Sequence, residues 1–450
     1  MMLARILPPV VAKEVRALLP LWLGTLAALV CVPALARRIG VGDGSIQVWG
    51  LLIYGGASAT LGALSIGHEY SNRTLPLLLS QPASRARVFV VKQFVLAMML
   101  LILAVVAWIY VLFPGSGMVV VVVLVALGGL FVTPWLTMLS RNPLAGAVFT
   151  GPIPSAIWLL VDAFVARPMR LAVFEWATLG CCAVAAVLGW RAFIRLEAIE
   201  GPGASLRWPA VGAALVAAGR TRHPIWLLVK KEIALQHLSL AVAVIYLLGL
   251  AAVSLLGPIA PRLEDTVGSV SALYGGLLAL LIGSLASAEE RHIGTLEWQR
   301  LLPMDSWKQW VVKAGTALGL ALLLAVGLPL ISSHEPASLQ NSLGWYVCAI
   351  VMVTTASLYV SSLSSSGIRA LLVAVPVSFL LIASTAYLTG RRTPLSPLPV
   401  LLFAGVVTVA LYLAWLNHRS SERSAGRLGL QVGVMAGCLA LAAALASLAR

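Results

Sequence analysis

Stretches of about 20 apolar residues, the length of helix that crosses a hydrocarbon layer about 30 Å thick, recur thirteen times along this chain. They cover residues 17–36, 48–66, 93–113, 118–139, 144–166 and 171–190, then 239–259, 269–288, 314–333, 343–363, 367–389, 397–416 and 428–449. Lipid offers no hydrogen bonds, so a chain that crosses it must satisfy its backbone N–H and C=O groups internally, and a helix does so within one segment. The pattern therefore predicts an all-α polytopic membrane protein. Composition agrees: 60% of the 450 residues are apolar and 10% are charged, against roughly 25% charged in a soluble domain. The mean hydropathy is +0.98. A water-soluble fold, a disordered or fibrous chain and a disulfide scaffold are excluded.

The net charge of +15 reads as topology and needs no nucleic acid, because Lys and Arg gather in the cytoplasmic loops of membrane proteins. With the N-terminus inside, 23 of the 31 Lys and Arg fall on the cytoplasmic side; the exterior keeps Arg37, Arg38, Arg167, Arg170, Arg262, Arg391, Arg392 and Arg450. The expectation is a multi-pass protein of the cell membrane with a cytoplasmic N-terminus. Ala34-Leu35-Ala36 has the form of a signal-peptidase site. The apolar run before it is long, however, and its counterpart after residue 239 stays in the membrane, so the span is expected to be retained. Cys31, Cys181, Cys182, Cys348 and Cys438 all lie in apolar runs with no CxxC pair, and read as small core residues.

The chain also repeats itself. Lys13-Glu14 recurs as Lys231-Glu232, Tyr54-Gly55-Gly56 as Tyr274-Gly275-Gly276, Glu69 as Glu289 or Glu290, Thr74-Leu75 as Thr295-Leu296, Pro82 as Pro303, and Val90-Val91-Lys92 as Val311-Val312-Lys313. The register stays nearly constant along this series, and Glu69–Lys92 aligns with Glu290–Lys313 without a gap. Each copy holds six spans, an even number, so the two should run the same way through the membrane as parallel repeats about an axis along its normal. The expected organisation is a first half at 1–190, a cytoplasmic linker at 191–225, a second half at 226–416, and a turn plus an extra C-terminal span at 417–450. Gly429, Gly433 and Gly437 give that last span one small face, suited to close packing on the second half.

The polar residues concentrate in two matching loops, 67–92 and 288–313. Each opens with an acid, continues with Thr-Leu and large apolar residues, reaches Pro and a polar turn, and closes with Lys. From Thr to Pro is about eight residues, roughly two helical turns, too short to span. A short amphipathic helix there can insert its apolar face into the groove of a soluble partner. One such loop would read as a cover for the bundle, but two at matching places favour docking.

These residues resemble the cytoplasmic coupling loops of ABC-2-type exporter permeases, which join the second and third spans of a six-span half. The segments around Lys13-Glu14 and Lys231-Glu232 are similar to that family's connecting helices before the first span. The resemblance implies that Glu69, Thr74, Leu75, Pro82, Glu290, Gly294, Thr295, Leu296 and Pro303 dock ATPase subunits. It also implies that the chain is the transmembrane subunit of an ATP-driven exporter. Arg73 stands where the second loop has Gly294, and a thirteenth span is outside the family's basic plan. No G-x-x-x-x-G-K-[ST] phosphate loop occurs, so the chain is expected to have no enzymatic activity and no cofactor of its own. ATP and Mg would be held by separate soluble ABC ATPase subunits, two per chain.

His68-Glu69 and Glu289-Glu290-His292 tempt a metal reading, but no H-E-x-x-H is present and the two clusters lie in different repeats, so no metal is expected. Asp162, Arg170 and Glu175 flank a turn on the predicted outer side, where they form either an ion-paired outer gate or a hairpin end at the headgroups. The absence of matching acids in the second half favours the hairpin end. Few charges fall within the spans, which argues for a hydrophobic or amphipathic substrate. It also argues against the alternative, an ATP-independent secondary transporter, which would need ionisable groups near the midplane.

Overall fold

The computed structural model describes residues 9–38, 40–71, 74, 84–111, 119–196, 224–256, 262–294, 304–332, 336–389 and 397–420, with 426–427, 429–431, 433–434 and 437. Among them no strand occurs, and twelve helices are long and apolar enough to cross a membrane. The chain is an all-α, multi-pass membrane protein. It divides into two compact units whose main bodies are the helices up to Ile194 and those from Pro224 onward.

In the first unit α1 (Pro9–Arg38), α2 (Asp43–Ser71) and α3 (Arg85–Tyr110) are single spans. The fourth is built from α4 (Val119–Leu127), a π-helical turn (Gly128–Val132) and α5 (Thr133–Ser140). The fifth is α6 (Pro143–Thr150) and α7 (Pro152–Phe164), and the sixth is α8 (Arg170–Ile194). The second unit opens with α9 (Pro224–Leu235), which is followed by α10 (His237–Leu256) and α11 (Arg262–Ile293). Its third span is α12 (Ser306–Ala321), a π-helical turn (Leu322–Gly327) and α13 (Leu328–Ser332). Then come α14 (Pro336–Leu363), α15 (Gly367–Thr389) and α16 (Pro397–Arg419).

Local chemistry sets several of these ends. The Asn142 side chain accepts hydrogen bonds from the N–H groups of Leu144 and Ala145, with Pro143 at the first helical position, so α6 starts with its free donors met. Ser84 caps α3 in the same way through the N–H of Arg87. Gly294 follows α11 with φ +79°, a left-handed conformation that glycine adopts without steric cost and that stops a helix.

Two expectations change in the structure. The segment around Lys13-Glu14 is no separate connecting helix, because α1 runs unbroken from Pro9 to Arg38. In the second unit a break does separate α9 from α10 at Gln236. Its side chain donates to Ile282 O at 3.0 Å and accepts from Ser239 Oγ at 2.8 Å. At the matching register the first unit has Leu18, a buried apolar residue that could not satisfy an opened backbone. The loops are also shorter than the sequence suggests. α2 continues to Ser71 and α3 already begins at Arg85, while α11 ends at Ile293 and α12 begins at Ser306.

The two π-helical turns are not at matching places: one lies in the fourth span of its unit, the other in the third. Each leaves carbonyls that side chains satisfy. Thr133 Oγ1 donates to Gly128 O at 3.3 Å, Tyr274 OH to Leu324 O at 3.1 Å, and Tyr346 OH to Ala325 O at 2.8 Å. Beyond α16, Gln431 is buried and forms a paired amide contact with Asn417, at 2.6 and 3.2 Å. Gly429, Gly433 and Gly437 are exposed, with open space around each. Among the described residues, it is this amide pair that ties the segment to α16. Most of segment 428–449 lies outside the described residues.

Within each unit the second and fourth spans approach closely at one register. A Cβ on Gly62 would clash with Gly129 O, and one on Gly283 would come 2.6 Å from both Ser357 Cβ and Thr354 O. These two glycines are repeat mates, in the same register as Glu69 and Glu290. Hydroxyls support the second contact, with Ser357 Oγ donating to Leu280 O at 2.6 Å and Ser361 Oγ to Ser284 O at 2.8 Å. Gly62→Ala and Gly283→Ala should each destabilise the protein by about 1–3 kcal/mol through overpacking, read as a lower apparent melting temperature in detergent. Gly56→Ala, where a Cβ meets nothing within 4 Å, should leave it unchanged or raised.

Candidate functional site

The charged residues that the repeat brings into register meet in space, once in each unit. In the first, Lys92 Nζ lies 2.8 Å from Glu14 Oε1, 3.4 Å from Glu69 Oε1 and 3.1 Å from Ser65 O. Lys13 Nζ lies 2.9 Å from Glu69 Oε1. In the second, Lys313 Nζ lies 2.9 Å from both oxygens of Glu232, 2.8 Å from Glu290 Oε2 and 2.7 Å from Ala286 O. Lys231 pairs with Glu290 Oε1. Ser65 and Ala286 are matched by the same register as Glu69 and Glu290, so even the backbone acceptor repeats. Two lysines and two glutamates from three helices make the same cluster in each unit.

Helix geometry explains the arrangement. Residues 65 and 69 are one turn apart and share a face of α2, so both meet a lysine rising from α3. Lys13 and Glu14 are neighbours and point about 100° apart on α1. Glu14 therefore turns inward to Lys92, while Lys13 stays half exposed and reaches Glu69 from outside. Glu69 lies two residues from the end of α2, and Lys92 seven residues into α3. At 1.5 Å per residue the cluster sits about 3–11 Å inside the helix ends. The helices, of 26 to 30 residues, outrun the hydrocarbon core by roughly 10–15 Å. The cluster is thus at the edge of the membrane, near the end of α2 and the start of α3 and away from the midplane.

The electrostatics leave little freedom. Glu69, Glu290, Lys92 and Lys313 are 0–2% exposed, and burying an ion costs several kcal/mol unless it is paired and hydrogen-bonded. Each cluster closes its own charge, with two ammoniums against two carboxylates. Burial still pushes the Glu232 carboxyl above the usual carboxylate range, against the pull of the Lys313 ammonium. Glu14, His68 and Glu69 offer three possible metal-ligand atoms within 4.8 Å of one another. Lys13 and Lys92 already neutralise the two acids, so a divalent cation there would be opposed by two adjacent ammoniums. The geometry is that of an ion-pair cluster.

Of the residues expected to dock a partner, Glu69 and Glu290 lie in the closing turns of α2 and α11, wholly buried. Thr74 is partly buried and bonds to Glu69 through both its hydroxyl and its N–H, while Gly294 is exposed at the end of α11. Leu75, Pro82, Thr295, Leu296 and Pro303 lie outside the described residues. Lys13, Glu14, Lys231 and Glu232, expected on connecting helices, belong to the clusters. Asp162 pairs with Arg170, which also donates to Val165 O at 3.1 Å. Both partners belong to the α7–α8 hairpin, so the pair fastens that turn. Glu175 has no ion-pair partner among the described residues.

Lys92 and Lys313 enter the sequence reading only as repeat matches, not as site residues. The signal is present, since a lysine at repeat register next to an apolar run is costly without a buried partner. His68, given no metal role by the sequence, sits 3.2 Å from Glu69 Oε1 and 2.7 Å from Leu64 O. Compared with protein-family models, curated proteins and solved structures, the chain finds no match. What the fold defines is a multi-pass helical membrane protein of transporter-like build.

Removing one partner of such a cluster strands the others. Lys92→Met and Lys313→Met should each cost about 3–5 kcal/mol, seen as early thermal unfolding in detergent. Adding Glu14→Gln and Glu69→Gln to Lys92→Met should recover most of the loss, since no carboxylate is then left buried without its lysine. Unchanged melting of Lys92→Met would show that the cluster is not buried as described.

Proposed function

We propose that the chain is the transmembrane permease subunit of an ATP-driven exporter of the ABC-2 type, with two six-span halves fused as parallel repeats. The observation that carries this reading is the pair of matching charge clusters. Each joins the two helices that flank a loop to the N-terminal helix of its own unit. A loop whose stems are pinned in this way cannot shift alone: moving it moves three helices. That is the mechanical property required of a loop on which a soluble motor pulls.

In this reading a soluble ATPase subunit docks on each loop, through Leu75 and Pro82 in the first and Leu296 and Pro303 in the second. ATP and Mg belong to those subunits, and this chain contributes no catalytic group. ATP shifts the permease between its two states only to the extent that the ATPase pair binds one state better than the other. The clusters carry the resulting displacement into three helices of each half, α1, α2 and α3 in the first and α9, α11 and α12 in the second. Closed charge pairs suit this role, because a cluster without net charge moves as a unit within the membrane edge. The uncharged span interiors favour a hydrophobic or amphipathic cargo. A secondary carrier would want titratable groups near the midplane, whereas these clusters sit at one end and are paired.

The test is gentle purification of the tagged chain from its native membranes, with mass spectrometry of what remains bound. Two copies of a soluble ATPase per chain are expected. They should be lost when Leu75 and Leu296 are both changed to Asp, with the chain still monodisperse and its melting temperature unchanged. A chain that emerges alone yet moves solute into liposomes under an ion gradient would replace this reading with the secondary carrier.

A further inference from the structure

We infer that Thr74 is the positioning residue through which the first loop grips its charge cluster; the inference deepens the proposed function and, in its mechanical part, rests on it. Glu69 divides its two oxygens unequally. Oε1 takes Lys13, Lys92 and His68, all of them on helices of the bundle. Among the described residues, Oε2 takes only the hydroxyl of Thr74, which stands beyond the end of α2. The N–H of Thr74 also donates to Glu69 O at 3.0 Å. This six-to-one closure satisfies a carbonyl that the helix end would leave free.

One residue of the loop is therefore bonded twice to the glutamate that both lysines share, by side chain and by backbone. A helix cap would need only the backbone bond. The hydroxyl adds a charge-assisted bond to a carboxylate, and it draws that carboxylate toward the loop while two lysines hold the other oxygen. A displacement of Thr74 acts first on Glu69 and, through it, on Lys13 of α1 and Lys92 of α3. The second loop keeps the same spacing, with Thr295 five residues after Glu290. This accounts for a hydroxyl-bearing residue at the start of the Thr-Leu pair in both copies.

Thr74→Val and Thr74→Ser in the full chain, reconstituted in lipid nanodiscs, separate the hook from a simple cap. Valine keeps the backbone bond and the shape but removes the hydroxyl; serine keeps both bonds. Hydrogen exchange followed by mass spectrometry should show the amides of residues 69–74 exchanging about tenfold faster in the valine variant, the equivalent of one lost hydrogen bond. The serine variant should match wild type, and peptides around Glu290 should not change. Exchange in Thr74→Val equal to wild type would overturn the hook, whether or not an ATPase binds. With the ATPase subunits present, Thr74→Val should still retain them while moving several-fold less cargo per ATP hydrolysed. Looser amides with unchanged cargo per ATP would overturn the role of Thr74 as transmitter. A wild-type chain that binds no ATPase would remove the proposed function and that mechanical role together, while the exchange comparison would still decide the hook.

Discussion

A buried lysine shared between two buried glutamates is the feature around which each half of this protein is arranged. Lys92 and Lys313 are almost inaccessible to solvent, at the margin of a medium that stabilises no charge. Each is tolerable only because a glutamate from the unit's N-terminal helix and a glutamate from its second span arrive within hydrogen-bonding distance. The spare negative charge is met by the lysine beside the first glutamate. Such a cluster adds little net stability, since desolvation offsets much of the attraction. It does fix which helices are neighbours and at what height, because any slip leaves an ion unpaired.

Around that fixed end the two units differ. The first carries its π-helical turn in the fourth span and the second in the third, and the carbonyls so exposed are met by Thr133 in one case and by Tyr274 and Tyr346 in the other. The first unit begins with one unbroken helix, the second with a helix broken at Gln236. The charge clusters and the Gly62 and Gly283 contacts have been kept while the remainder was repacked.

Much of the fold is legible in the sequence because hydropathy is a local property. The twelve spans among the described residues fall where the apolar runs put them, and the repeat is visible from motifs in register. The loops read too long for a physical reason. Glu69, Lys92, Glu290 and Lys313 interrupt apolar runs, and an isolated charge does end a span. Here each charge is cancelled by a residue far away along the chain, so the helices continue through them. The π-helical turns carry no usable signal, because the hydroxyls that meet their carbonyls, Thr133 in the same span and Tyr274 and Tyr346 from other helices, are set apart by nothing in the local pattern.

Composition and spacing are enough to make the chain helical, to set how many times it can cross a membrane, and to show that its first half returns in altered form in its second. Those properties belong to one strand of covalent bonds and need no knowledge of neighbours. Packing alone brings Lys13, Glu14, Glu69 and Lys92 into one cluster, adds Thr74 to it, and reduces Asp162 and Arg170 to the fastening of a hairpin. Whether a charge is stranded or satisfied depends on which groups lie within about 3 Å of it. That distance is set by helices meeting across 23 to 81 residues of chain.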